Sequence, residues 1–322
     1  ALHLTGREVL HFKLEPALMF PAMHSLVASG YTGVDVFFVI SGFIMAHTTC
    51  RFDEADDRAG QAITFMRRRL LRIVPLYWIA LLWTIKVPLA RGQFGADYFF
   101  DFLFLPRMHP SGNIWPELVA GWTINYEMFF YAMFALAMAF GRHRYKVVLS
   151  VLIALAALGA LARPASVPLV FYTSPLVLEF AMGIGVFFAV SRTAASPHLL
   201  LLIFLGGFAV LILDNGAVPR AMADGVPAAL MVYAAAKARP VRQRPVLERI
   251  GDASYSIYLF HLAVLSLLNH AIKAWPFAQG PVWDVVGFTV AVAFATSAGL
   301  LVHALLERPL TRRLQSRDLR LA

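Results

Sequence analysis

The sequence predicts an all-α, polytopic transmembrane bundle of about ten helices, and three observations carry that prediction. Of its 322 residues 59% are hydrophobic and only 15% charged, whereas a soluble domain holds roughly 45–50% apolar and about 25% charged residues. Apolar segments recur from one end of the chain to the other. The basic residues cluster in alternate gaps between those segments, as they do in loops on the cytoplasmic side of a membrane.

Nine apolar segments can be delimited, at roughly 33–48, 70–90, 118–140, 147–163, 168–190, 198–214, 221–236, 253–273 and 282–306. The first, "GVDVFFVISGFIMA", has an acid at its mouth, Asp35, and a Ser41-Gly42 notch in its middle. It is short of the ~20 residues that a spanning helix needs, so it must extend into its flanks. Arg67, Arg68, Arg69 and Arg72 introduce the second segment, and Arg142, Arg144 and Lys146 follow the third. Arg192 follows the fifth; Lys237, Arg239, Arg242, Arg244 and Arg249 follow the seventh; Arg308, Arg312, Arg313, Arg317 and Arg320 follow the ninth. Simple alternation puts all these clusters on one side, with the C-terminus cytoplasmic. The opposite side holds only Lys86, Arg91, Arg107, Arg163, Arg220 and Lys273, and the longest loop, about 91–117. The expected localisation is a bacterial-type inner membrane.

This orientation starts residue 33 outside, so a helix is expected upstream. Residues 1–30 supply it poorly, because Arg7, Glu8, Lys13, Glu15, Pro16 and Pro21 interrupt the apolar residues. The expectation is a truncated or degenerate first helix over 1–30, a membrane domain over 31–310 and a basic cytoplasmic tail over 311–322. No signal peptide is recognised. The formal charge of +9 fits positive inner loops and not nucleic-acid binding, which needs its basic residues on one solvated face. The single cysteine, Cys50, excludes an intrachain disulfide and a Cys-rich metal site.

An ionisable group in the hydrocarbon region costs at least about 2.5–3.5 kcal/mol on insertion scales. Glu127, Glu179, His261 and His303 nevertheless lie in apolar segments. Each either lines a polar cavity or acts as hydrogen-bond glue between helices. We weight Glu127 towards function and Glu179 towards structure, and leave His261 open. Arg69 and Arg72, spaced i, i+3, share a helix face, and two guanidiniums on one face suit a polyphosphate. Arg67 and Arg68 fit a plain membrane anchor. Ser41-Gly42 allows close helix approach or lines the substrate path. Ser41 lacks the strand–turn–helix setting of a hydrolase nucleophile.

Four stretches appear in order: "GVDVFFVISGF", "RRRLLRIVPLYW", "WTINYEMFFY" and "GDASYSIYLFH". With "SPLVLEFAMGIG" and "LLERPL" they resemble the acyltransferase-3 family of integral-membrane acyltransferases over about residues 31–310. The wording of "ISGFIMAHTT" is most similar to members that acylate exopolysaccharides. The resemblance implies ten transmembrane helices and transfer of an acyl group, commonly acetyl, from a coenzyme A thioester to a sugar hydroxyl. Acyl-CoA is then a co-substrate, no cofactor is bound permanently, and the partners are a carbohydrate acceptor and the lipid bilayer. Asp35 and the Ser-Gly notch would belong to a helix lining the transfer site.

The resemblance also implies, on the first helix, a basic residue, then ten intervening residues, then a catalytic histidine. Lys13 and His24 have that spacing, with Glu15, Pro16 and Pro21 between them; His11 lies at a plausible distance before "GVD", but its basic partner would precede residue 1. Either histidine would act as general base, with Glu127 or Asp35 orienting it. Arg69 and Arg72 would hold the coenzyme phosphates, and Ser41, Trp122, Tyr126 and His261 complete the binding candidates. No helix carries two histidines and a carboxylate at ligand spacing, so no metal is expected. A transporter or flippase is the rival from another class, since buried Glu and His also mark proton relays. Secondary transporters carry internal repeats, and none is visible here. A third reading is an inactive remnant lacking the catalytic helix.

Overall fold

A computed structural model of the chain describes residues 29–50, 57–213, 218–238, 245–273 and 280–318. Among these residues every regular element is helical, and the one isolated β-bridge joins Met108 to Ile114. The all-α expectation therefore holds. After a 3₁₀ turn at Ser29–Thr32 come α1 (Gly33–Thr49), α2 (Arg58–Ala90), the short α3 (Tyr98–Phe102) and α4 (Gly121–Ala137). Then follow α5 (Arg144–Ala162), α6 (Val167–Tyr172), α7 (Val177–Arg192), α8 (Pro197–Leu213) and α9 (Val226–Lys237). The last are α10 (Pro245–Asp252), α11 (Ser254–Lys273), α12 (Pro281–Val302) and α13 (Arg308–Asp318).

All nine apolar segments fold as helices. Five helical stretches among the described residues are long and apolar enough to cross a bilayer: Gly30–Thr49, Arg58–Ala90, Gly121–Ala162, Val167–Arg192 and Pro281–Leu314. Pro245–Asp252 and Ser254–Leu268, bent by 68°, make a sixth if counted as one span. This number is below the expected ten for three reasons. The expected first helix, at 1–30, lies outside the described residues but for Ser29 and Gly30. The apolar helix α8 has only 17 residues and α9 only 12, against about 20 for a span. The stretch Gly121–Ala162 has 42 residues but is two arms. They meet at a 3₁₀ stretch, Met138–His143, kinked at Gly141 with φ 54°, ψ −125°, a conformation that a residue with a Cβ resists.

The chain divides into two compact units. Among the described residues the first comprises 29–66 and 123–238. Its centre is the contact of α1 with α7. A Cβ on Gly42 would run into the Phe180 carbonyl, and one on Gly183 into the Val39 carbonyl. Each glycine thus admits the backbone of the other helix, the arrangement by which small residues bring membrane helices together. Val39, Val186, Ala228 and Val232 close the packing of α9 onto this pair. Aromatic rings tie in α4 and α6: Phe130 stacks on Phe180 at 4.4 Å, and Tyr126 on Phe171 at 3.9 Å. Such pairs are each worth about 0.5–1.5 kcal/mol beyond their buried area.

Arg144 departs from its sequence reading as part of a basic loop. It is 2% exposed. Its guanidinium donates to the carbonyl of Thr49 at 2.6 Å and that of Gly141 at 3.0 Å, and to the Tyr145 hydroxyl at 3.0 Å. The last carbonyls of a helix lack intrahelical donors, and Arg144 supplies one to the end of α1.

The second unit comprises 67–122 and 245–318 among the described residues. Helix α2 runs on through Pro75 and Pro88. The stretch after it, which the sequence reads as a long loop, is built around a buried carboxylate. Asp101 accepts Arg107 Nε at 2.7 Å, Arg107 Nη2 at 3.0 Å and the Glu117 amide at 2.9 Å. Burial alone would lower the pKa of Arg107, but its hydrogen bonds to Asp101 and the charges of Asp101, Asp97 and Glu117 outweigh that and raise it. Gly299 on α12 packs against Ile257 on α11. A π-helical turn, His303–Glu307, follows α12, and Glu307 there accepts from Ser256 at 2.5 Å and pairs with His303 at 2.9 Å.

Candidate active site

Two buried polar networks stand in the first unit, and both start on α1. Helix α4 carries Thr123, Glu127 and Tyr131 on one stripe, because residues four apart are neighbours on a helix surface. The Glu127 carboxylate is buried, and its Oε1 accepts from the Tyr131 hydroxyl and, at 3.3 Å, from Ser41 Oγ. The Ser-Gly notch is thus divided. Gly42 makes room for α7, and Ser41 turns its hydroxyl to the acid of α4.

Asp35, two turns earlier on α1, is held by a different group. Arg220 clamps it with Nε at 2.9 Å from Oδ1 and Nη2 at 2.8 Å from Oδ2. A bidentate guanidinium–carboxylate pair is the strongest form of charged hydrogen bond between side chains. Arg220 Nε also lies 3.8 Å from Asp224 in the π-helical turn Ala221–Gly225, and the guanidinium covers the Tyr31 ring at 5.2 Å. Glu179, on α7, is fully buried beside Asp35. Asp35 and Glu127 therefore belong to separate networks on one helix, each with its own partners.

The other candidates are dispersed. Arg69 is half-buried and Arg72 exposed on α2 in the second unit, with Arg67 and Arg68 exposed beside them. The Tyr255 hydroxyl bonds the Ile73 carbonyl at 2.9 Å, which fastens α11 to α2 one residue beyond Arg72. His261 Nδ1 faces the Tyr258 carbonyl one turn back on α11. As donor there, Nδ1 leaves Nε2 as the acceptor nitrogen. Trp122 is half-buried at the start of α4, and Tyr126 is buried with its hydroxyl donated to the Phe171 carbonyl at 2.7 Å. His11 and His24 lie outside the described residues. No group of three or more His, Cys, Asp and Glu among the described residues is placed to hold a metal ion.

Sequence reasoning missed Arg220, Asp224 and Tyr131. It entered Arg220 only as one of the few basic residues on the sparse side. Its signal was the i, i+4 spacing to Asp224 at the entrance to an apolar segment, which places opposite charges on one helix face.

A multi-pass helical membrane protein with buried acids fixed on packed helices is the class these features define. Residues 7–301 match the family model described as an acyltransferase domain, acyltransferase family 3, and the chain belongs to that family. It is 37% identical over 303 residues to the exopolysaccharide production protein ExoZ of Rhizobium meliloti (strain 1021), covering 89% of this chain and 92% of that protein. It is 26% identical to the acyltransferase MdmB of Streptomyces mycarofaciens, over 92% of this chain and 84% of that one. Nodulation protein 10 of Rhizobium leguminosarum bv. viciae is likewise 26% identical, over 73% of this chain and 72% of its own. No solved structure matches.

Proposed function

We propose that this acyltransferase moves an acyl group, acetyl in the simplest case, from a coenzyme A thioester to a hydroxyl of a sugar or exopolysaccharide. The observation that carries the reading is Glu127, a buried acid that Ser41 and Tyr131 hold in place within the family-matched residues. A relative named for exopolysaccharide production supports the choice of acceptor.

A neutral histidine, His24 or His11, takes the proton of the acceptor hydroxyl. Its ordinary pKa of about 6.5 suits a general base near neutral pH. The oxygen attacks the thioester carbonyl, the C–O bond forms as the C–S bond breaks, and the histidine returns the proton to the departing thiolate. Glu127 orients the imidazole, following the logic of a catalytic triad; Asp35, the other candidate from the sequence, is taken up by Arg220. Arg69 and Arg72 hold the coenzyme phosphates, as two guanidinium forks on one helix face suit polyphosphate. We place the chain in a bacterial-type inner membrane with its C-terminus in the cytoplasm.

The test uses membranes containing the full chain, acetyl-CoA labelled in the acetyl group, and the producing cell's exopolysaccharide stripped of esters by mild alkali. Label should pass to the polysaccharide as an alkali-labile ester. Absence of transfer alongside ion-coupled uptake of a sugar would favour a transporter instead.

A further inference from the structure

The cluster around Asp35 holds more hydrogen-bond acceptors than the protein satisfies. Three carboxyl groups, Asp35, Glu179 and Asp224, surround the one guanidinium of Arg220. Asp35 takes two of its donors and Asp224 lies within ion-pair distance. Glu179 is 0% exposed, and what faces it is the carboxyl of Asp35; no amine, guanidinium, amide or hydroxyl among the described residues donates to its oxygens. Arg220 Nη1 is also buried without a partner. Buried polar groups are nearly always hydrogen-bonded, so an acid and a guanidinium with unspent capacity at one place call for a ligand.

The surroundings agree. The Arg220 side chain is 15% exposed and Tyr31 beneath it is half-buried, so the cluster meets the protein surface at that edge while Glu179 lies below it. The helix is widened into a π turn at Asp224, a distortion often found at functional sites. The unspent groups are carboxylate oxygens, which only accept, and a guanidinium N–H, which only donates. A hydroxyl does both. Two neighbouring hydroxyls can give one O–H to Glu179 and accept from Nη1 with the other oxygen. Phosphate or carboxylate ligands are disfavoured, since three acids already face one cation.

We propose that the Asp35–Arg220–Glu179 cluster is the acceptor subsite, binding a vicinal pair of carbohydrate hydroxyls between the Glu179 carboxylate and Nη1 of Arg220. This rests on the carbohydrate-acceptor reading above. Asp35 is a positioning residue, fixing the guanidinium so that Nη1 stays turned to the ligand.

The test is steady-state acetyl transfer to the alkali-stripped exopolysaccharide, comparing the full-length wild-type chain with Glu179→Gln at matched membrane levels. Gln keeps the shape but replaces one acceptor oxygen with a donor. The apparent KM for the polysaccharide should rise tenfold or more, with the KM for acetyl-CoA unchanged. Should Glu179→Gln fail to reach the membrane, Glu179→Asp, which withdraws the oxygens by one methylene, should give the same split. A cluster that only locks helices would lower the amount of folded protein or kcat and leave the two KM values together, and that result overturns the proposal. Wild-type protein that transfers nothing would overturn the acyltransferase reading and the subsite with it; active wild type with an unchanged acceptor KM in both variants would overturn the subsite alone.

Discussion

Arg220 and Asp35 lie 185 residues apart in sequence, and the structure makes their contributions to stability unequal. Asp35 has its guanidinium partner at 2.8–2.9 Å, while Arg220 serves Asp35 directly and stands 3.8 Å from Asp224. Arg220→Met leaves three buried carboxyl groups without their cation. Breaking a buried pair from one side costs about 3–5 kcal/mol, and this case belongs at the upper end. Asp35→Asn removes one negative charge from a cluster with an excess of them, and its amide oxygen can still accept from Arg220. Its cost should stay near that of one charged hydrogen bond, about 1.5–3 kcal/mol. The double variant should cost less than the sum, because its second change relieves part of the first, with a coupling of about 1–3 kcal/mol. The assay is reversible unfolding of the four proteins in mixed detergent micelles, followed by Trp fluorescence. Equal single costs that add without coupling would refute the ion pair as the organiser of this cluster.

Arg69→Ala and Arg72→Ala should each raise the apparent KM for acetyl-CoA about tenfold, since a charged contact to phosphate is worth about 1.5–3 kcal/mol. Arg67→Ala should change it much less, and equal effects at Arg67 and Arg72 in the transfer assay would reduce the run to a membrane anchor. Gly183→Leu should drive α1 from α7 and lower folded yield in detergent, by at least the ~1–3 kcal/mol of an overpacked core, whereas the open Gly185 should accept Leu with little loss of monodisperse protein. Gln243→Cys in a Cys50→Ser background should resist an impermeant thiol reagent added to intact cells and react after lysis; labelling in intact cells would reverse the orientation.

The helices were legible in the sequence because long apolar runs have few other uses. Their acids were legible too: Asp35, Glu127 and Glu179 stand out against hydrocarbon-loving neighbours. Their partners were not. Nothing local ties Ser41 to a carboxylate 86 residues away, or Arg220 to Asp35, since such pairs depend on how whole helices cross. Charge counting also treats every arginine alike. It put Arg144 with the loop anchors, although the carbonyls at the end of α1 draw it inside. It likewise read Arg107 as a stray outer charge, although Asp101 makes it the centre of a buried network. The sequence left the Ser-Gly notch between close helix approach and a place on the substrate path; Gly42 makes the close approach, and Gly183 on the facing helix supplies its other half.

The measurement that bears most directly on the account is kcat for acetyl transfer by Glu127→Gln against wild type, at matched membrane expression and saturating acetyl-CoA. The amide is nearly isosteric and still accepts from Ser41 and Tyr131, so the fold should persist. If Glu127 orients and charge-stabilises the catalytic histidine, losing its charge removes about 2–4 kcal/mol of transition-state stabilisation, roughly 30- to 1000-fold in kcat. The account predicts that fall with the KM for acetyl-CoA nearly unchanged, whereas a Glu127→Gln protein of wild-type kcat would contradict it and leave Glu127 as a helix-packing residue.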